Sequence, residues 1–143
     1  MNIAKHRLWK KANMLTGYAE TAELWTQCVA GVKKYSSDVL GVDLGSFWWS
    51  AINWWNTGSP FAWKPFSRIE NNPTFVPRVW DICFFQIGTY WHVAIIDEMS
   101  TTRVAFVIEQ NWWNGDGKGK DDYYQVKAYD YITPKILWVY RKY

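Results

Sequence analysis

One thiol, one imidazole and two neighbouring polar groups in this chain have the types and spacing that nucleophilic catalysis requires. Cys28, His92, Glu109 and Asn111 stand in three separate stretches of the sequence. A thiolate attacks a carbonyl carbon once a base has taken its proton, and a third group holds the imidazole in its working tautomer. The four residues therefore predict a cysteine-dependent hydrolase, provided that the fold brings the three stretches together.

Two predicted strands can carry the imidazole and the polar groups to one edge of a sheet. Residues 92–97 and 104–111 are β-branched and aromatic runs joined by a short turn, which favours an antiparallel hairpin. Side chains alternate along a strand, so Glu109 and Asn111 share one side of theirs. The beginning of the first strand then lies beside the end of the second, and His92 can share an edge with both.

The thiol is predicted at the beginning of a helix that packs on that same face of the sheet. Apolar residues recur every three or four positions over 25–40, with Thr26 as a candidate N-cap and Gly41 placed to end the helix. Cys28 then lies in the first turn, where the partial positive charge of the helix and an adjacent imidazolium lower a cysteine pKa. Cys83 stands inside an apolar run and is predicted to be buried and inert.

The remaining pattern predicts an α+β domain. A second helix is predicted over 46–55, and residues 58–77 are predicted as loop because proline and glycine interrupt them. Strands are predicted over 80–85, 92–97, 104–111, 123–131 and 136–141. Since no linker or repeat divides the chain, residues 1–143 are predicted as a single domain, with N-terminal helices packed on a five- to six-stranded antiparallel sheet.

Composition argues against several classes of function. Sixteen Lys and Arg against 13 Asp and Glu leave a net charge of +3, too weak to indicate nucleic acid binding. No apolar stretch approaches the roughly 18 residues of a membrane span, and charged residues interrupt the start of the chain too early for a signal peptide. We therefore expect a monomer without nucleic acid or stable membrane association. His6 and the pair Lys33 and Lys34 are interpreted as solvated surface residues.

Twelve tryptophans are the unusual feature of the composition, and aromatic residues make up 20% of the chain. Amphipathic rings can line a groove that binds sugar or peptide, although burial in the core is the alternative for each of them. Trp91 and Trp112 are adjacent to His92 and Asn111, and Trp49 lies in the second predicted helix. These three tryptophans are the predicted substrate contacts.

Four blocks of sequence resemble the CHAP family, the cysteine- and histidine-dependent amidohydrolases and peptidases, and in particular its phage-endolysin members. They are Gln27-Cys28 at the helix start, WHVAII at 91–96, VIEQNWWNG at 107–115, and NPTFVP at 72–77 followed by Asp81-Ile82. The resemblance implies a papain-like α+β domain that hydrolyses an amide bond of bacterial peptidoglycan. Either the muramoyl-to-alanine bond or a bond within the stem or cross-bridge peptide would fit.

The resemblance also assigns roles to individual residues. Cys28 matches the family nucleophile, His92 the general base, Glu109 the acidic residue that orients the imidazole, and Asn111 the amide beside it. We expect Glu109 to contact the imidazole, since a carboxylate also stabilises the imidazolium. The backbone N–H of Cys28 is the expected oxyanion donor, and Gln27 is either a second donor or a surface bystander.

The chain departs from some relatives in ways that bear on metal binding and location. Several phage members carry an aspartate-rich calcium loop before the cysteine, whereas residues 17–23 here contain two glutamates and no aspartate. We therefore predict no metal and no cofactor. Without a signal peptide, the chain is expected to be a phage lysin made in the host cytoplasm that reaches the wall through a pore or in the virion. The competing interpretation is a non-catalytic, aromatic-rich module that binds the cell wall.

Overall fold

A six-stranded antiparallel sheet with helices packed against it forms the protein. The computed structural model describes residues 2–14, 28–45, 50–58, 61–70, 76–86, 91–98, 104–109, 125–130 and 136–143. The helices are α1 Ile3–Asn13, α2 Cys28–Tyr35 and α3 Ala51–Thr57, and a π-helical segment, Ser36–Leu40, continues α2. The strands are β1 Phe66–Glu70, β2 Ile82–Phe85, β3 His92–Ile96, β4 Val104–Glu109, β5 Gln125–Asp130 and β6 Ile136–Lys142.

The strands lie in the order β1-β6-β2-β3-β4-β5, and every neighbouring pair is antiparallel. This arrangement confirms the α+β class and the predicted β3–β4 hairpin. It also corrects the interpretation of 58–77 as loop, because β1 lies within that stretch and pairs with β6 along its whole length. The prolines that suggested a loop flank β1, which is an edge strand without a fully buried residue.

Two glycines end the π-helical segment and α3. Gly41 has a φ of +67° and stops the π-helical segment, as its position in the sequence predicted. Gly58 has a φ of +70° and ends α3. The last helical residue, Thr57, lies two residues beyond the predicted end at residue 55. The predicted cap Thr26 and the first part of the predicted second helix, 46–49, lie outside the described residues.

The two faces of the sheet carry different side chains. The helix-side face is formed by Ile82, Phe84, Val93, Ile95 and Ile108, which share one cluster with residues of all three helices. The far face is formed by Cys83, Phe85, Ala94, Ile96 and Val107, which form a second cluster. Because the alternation is strict, the side chain of every residue in β3 can be assigned to one face or the other.

Helix α1 buries a histidine that the sequence suggested was solvated. His6 has no exposed surface, and it shares the inward side of α1 with Trp9, three residues further along. The sequence interpretation relied on the basic residues around His6, of which Lys5 and Arg7 are exposed. Lys33 was also expected at the surface, yet it is buried, because α2 is covered at five consecutive positions. Lys34 lies closer to solvent and pairs with Asp38 at 2.8 Å.

The buried histidine ties α1 to the rest of the fold. His6 Nδ1 lies 2.6 Å from the Tyr35 hydroxyl, and Nε2 lies 2.7 Å from Asp97 Oδ1 at the end of β3. The Lys10 ammonium donates to the other carboxylate oxygen of Asp97. Burial acts to raise the pKa of Asp97, but the hydrogen bonds from His6 and Lys10 outweigh it and lower that pKa to about 2. Asp97 is therefore an ionised, buried group that needs both partners.

Removing the His6 side chain is expected to destabilise the fold. His6→Ala should lower the free energy of unfolding by about 2–4 kcal/mol, because it leaves a cavity and takes a partner from the buried Asp97 carboxylate. Urea unfolding followed by circular dichroism measures the change. Leu8→Ala is the matched control on the same helix, since Leu8 is 69% exposed and its truncation should change stability by less than about 0.5 kcal/mol. Equal stability of the two variants would contradict the bridging role of His6.

None of the helices among the described residues has the length and apolarity to cross a membrane.

Candidate active site

Two of the predicted catalytic residues meet where β3 begins and β4 ends. The register pairs Ile95 with Ile108 and Ile96 with Val107, and its continuation places Glu109 diagonally across from His92. His92 Nε2 lies 2.8 Å from Glu109 Oε2, and both side chains are buried. This ion pair leaves Nδ1 of the imidazole to face other partners.

Cys28 is the first residue of α2, and its thiol contacts the His92 side chain. The apolar residues of α2 pack on the helix-side face of the sheet. His92 pairs with Phe85 at the beginning of β3, and the two rings lie 6.2 Å apart. The start of α2 lies at this end of β3. There the Cys28 thiol forms a hydrogen bond with the His92 side chain.

The surroundings of Cys28 favour its thiolate. Burial acts to raise the pKa of the thiol, but the hydrogen bond and charge of His92, with the backbone N–H groups of Val93 and Val29, outweigh it. The pKa of Cys28 is therefore lowered from its ordinary value. Part of the Cys28 surface remains accessible, as a nucleophile requires.

The surroundings of His92 favour its imidazolium. Burial acts to lower the pKa of the ring, but hydrogen bonds with Cys28 and Glu109 and the charges of these two groups raise it above its ordinary value. The pKa of the thiol and the pKa of the imidazole are thus shifted in the opposite directions that a thiolate–imidazolium pair requires. Glu109, which is buried, supplies a negative charge beside the imidazole.

The second cysteine has the opposite environment. Cys83 is fully buried in β2, and its thiol donates a hydrogen bond of 3.4 Å to the carbonyl oxygen of Ala94. Burial, followed by the charges of Asp81 and Glu109, raises its pKa well above the ordinary value. Burial of Cys83 is thus confirmed, and its thiol is held in the protonated, unreactive form. Both cysteines are free thiols.

Of the other five predicted site residues, the structure describes Trp91. Trp91 is half-buried against the helix-side cluster and has a φ of +58°, directly before His92. Its contact with substrate stays a prediction. Gln27, Trp49, Asn111 and Trp112 lie outside the described residues.

Two contacts of the site were not predicted from the sequence. The backbone N–H of Val93 acts on the Cys28 sulfur, and the Phe85 ring lies against His92. The β2–β3 register pairs Phe85 with His92. That pairing could have been inferred from the two apolar runs alone, whereas the Val93 contact depends on where α2 begins in space.

One group of side chains in the described part of the chain has the spacing of metal ligands. Ligand atoms of His6, Asp97 and Glu98 lie within 4.8 Å of one another. Lys10 already binds the Asp97 carboxylate, and Arg7 binds that of Glu98 at 2.7 Å. The two cations neutralise the charge that a metal ion would need, so the group fits a structural network better than a metal site.

Comparisons with known proteins agree with this geometry. Residues 16–111 match the family model of the CHAP domain. The N-acetylmuramoyl-L-alanine amidase sle1 of Staphylococcus epidermidis is 28% identical over 113 residues, which cover 79% of this chain and 32% of that protein. The protein of the same name from Staphylococcus haemolyticus is 29% identical over 111 residues, covering 76% of this chain and 31% of that protein. This chain thus spans about a third of the length of these curated relatives.

A solved structure shows the same fold. The crystal structure of the wild-type endolysin LysIME-EF1 superposes with a TM-score of 0.74 at 16% sequence identity. The superposition covers 94% of this chain and 61% of that chain. The overall fold is therefore shared with a structure of very different sequence.

Proposed function

Because this chain belongs to the CHAP domain family, we propose that it is a peptidoglycan hydrolase that cleaves an amide bond through a cysteine thiolate. The arrangement of Cys28, His92 and Glu109 at the beginning of β3 is the observation that carries the proposal. The names of the relatives support the substrate, since two are N-acetylmuramoyl-L-alanine amidases and one is an endolysin. We propose that residues 1–143 act as one catalytic domain and that the protein is a phage lysin.

The first half of the reaction forms a thioester. The Cys28 thiolate attacks the carbonyl carbon, and a carbon–sulfur bond forms while the carbonyl oxygen takes the negative charge. The imidazolium of His92 then gives its proton to the departing nitrogen, and the carbon–nitrogen bond breaks. Glu109 stabilises the imidazolium before this step and holds the ring in position after it.

The second half of the reaction regenerates the enzyme. His92, now neutral, removes a proton from water, and the resulting hydroxide attacks the thioester carbon. The carbon–sulfur bond breaks, the carboxylic acid product leaves, and the thiolate–imidazolium pair forms again. In both halves the backbone N–H of Cys28 donates to the oxyanion, with Gln27 as the proposed second donor and Asn111 beside the imidazole.

Mass spectrometry of fragments released from purified cell walls tests the proposed activity. Cleavage of the muramoyl-to-alanine bond exposes the amino group of alanine, whereas cleavage within the peptide exposes the amino group of another residue. Either new amine supports an amidase or endopeptidase. New reducing sugar ends would instead indicate a glycosidase, and the absence of any fragment would indicate a module that only binds the wall. Both results would contradict the proposal.

The rate of hydrolysis is expected to depend on pH through the ionisation of both Cys28 and His92. Activity should rise as pH increases through the lowered pKa of Cys28, because the thiolate forms there. It should fall as pH increases through the raised pKa of His92, because the imidazolium that protonates the leaving amine is lost. A profile of kcat/KM against pH, measured with a soluble muropeptide, checks this. A rate that increased steadily up to the ordinary pKa of a free thiol would contradict the ion pair.

A further inference from the structure

A second concave surface lies beside the edge of the sheet where β1 pairs with β6. It is a cleft of about 730 Å³, within the range of pockets that hold small ligands. Its inner wall is aromatic, since the rings of Phe61 and Tyr140 stack with centroids 3.9 Å apart and Phe66 meets Phe61 edge-on at 5.3 Å. Phe61 and Tyr140 are almost fully buried, so their stack forms a rigid base beneath the cleft.

An exposed tryptophan stands at the rim of this cleft. Trp63 is fully exposed and has a φ of +64°, in the left-handed region that costs a bulky residue about 1–2 kcal/mol. A fully exposed indole contributes no burial to the fold that would offset this cost. Tyr143, on the same cleft, is 77% exposed. Strain held at an exposed aromatic side chain is typical of residues that bind an external partner.

The charged side chains that line the cleft indicate the charge of that partner. Lys64 and Arg68 line the cleft, and its lining contains no Asp or Glu side chain among the described residues. The guanidinium carbon of Arg68 lies 3.2 Å from the centroid of the Trp55 ring, so packing holds this cation in place. The cleft therefore combines flat apolar surfaces with positive charge.

The cleft is separate from the candidate active site. Tyr140 pairs with Ile82 at one end of β2, whereas His92 pairs with Phe85 at the other end. With two strand spacings between β6 and β3 and three residues along β2, the backbones of Tyr140 and His92 are about 14 Å apart. The cleft therefore lies at the end of β2 opposite the end that pairs with His92.

We propose that this cleft is a secondary binding site for glycan strands whose sugars carry free carboxylates. The flat C–H faces of sugar rings fit against the exposed rings of Trp63 and Tyr143, and the carboxylates pair with Lys64 and Arg68. Muramoyl sugars carry such a carboxylate once their peptide has been removed. The identity of the polymer rests on the proposed function, and the cleft then retains the enzyme on strands that have been processed.

Binding of peptide-free glycan strands to the Cys28→Ala protein tests this proposal without interference from hydrolysis. Strands of alternating N-acetylglucosamine and N-acetylmuramic acid are titrated by calorimetry. Trp63→Ala should weaken binding about tenfold, the change expected when one aromatic face loses its burial. Lys64→Gln should weaken binding and reduce its dependence on salt. Leu8→Ala, which removes an exposed apolar side chain from α1, should leave binding unchanged.

Several outcomes separate the cleft from the catalytic proposal. Hydrolysis of a small soluble muropeptide by the cysteine-intact protein should be unaffected by Trp63→Ala. Equal glycan affinity of the Trp63→Ala and parent proteins would overturn the proposal, as would a Trp63-dependent preference for poly(glycerol phosphate) over the glycan strands. Glycan binding that depends on Trp63 in a chain that releases no wall fragments would support the cleft and contradict the proposed function.

Discussion

Replacement of Cys28 by alanine is expected to abolish the release of wall fragments, with a loss of turnover of about 10⁴-fold or more. Without the sulfur no thioester can form. Neither His92 nor Glu109 lies at the helix start, so neither can act as the nucleophile in its place. Release of soluble fragments from purified walls, followed over time by mass spectrometry, measures the effect. The variant should keep the fold, because the Cys28 side chain is small and partly exposed.

Cys83 provides the matched control for this prediction. Cys83→Ala removes a thiol of the same size, but one that is fully buried and held protonated. It should leave turnover near that of the wild type and lower the free energy of unfolding by about 1 kcal/mol. Retention of activity by Cys28→Ala, or its loss in Cys83→Ala without unfolding, would show that the nucleophile has been assigned to the wrong residue.

The second large effect is expected at Glu109. Glu109→Gln keeps the shape of the side chain but removes the negative charge that lies 2.8 Å from His92 Nε2. Turnover should fall by about 10²- to 10⁴-fold, because the imidazolium loses its countercharge and the ring can adopt the wrong tautomer. Since Glu109 helps to raise the pKa of His92, the falling limb of the pH profile should move to lower pH. Kinetics over a range of pH measure both changes.

Two controls distinguish the role of Glu109 from a general effect of charge. Glu98→Gln removes a carboxylate that pairs with Arg7 near the surface, and it should change neither turnover nor the pH profile. Asn111→Ala tests the other candidate for orienting the imidazole. If turnover survived Glu109→Gln and was lost in Asn111→Ala, Asn111 would be the orienting residue.

The relation between His92 and Glu109 could be predicted from the sequence because it depends on local rules. A short turn makes β3 and β4 antiparallel neighbours, and the alternation of side chains then fixes which of them share a face. The same local rules do not place α2. Periodicity shows which side of a helix is apolar, but it does not show which face of a sheet receives that side.

The buried histidine and the edge strand show a second limit of sequence reasoning. The interpretation of His6 relied on its charged neighbours, whereas its burial depends on Asp97 and Tyr35, which are distant in the sequence. Residues 66–70 resemble a loop when their flanking prolines are considered, and they become a strand because β6 offers an unpaired edge. In both cases the decisive partner is supplied by the tertiary structure.

Trapping of the covalent intermediate tests the central claim most directly. Wall fragments are mixed with the enzyme, the reaction is stopped with acid within its first turnovers, and peptide mapping by mass spectrometry locates the adduct. We predict a thioester on the peptide containing Cys28, with the mass of the acyl part of the substrate, and no adduct on the peptide containing Cys83. Accumulation of product amines while Cys28 stays unmodified, or after it has been blocked by alkylation, would contradict catalysis by the Cys28 thiolate.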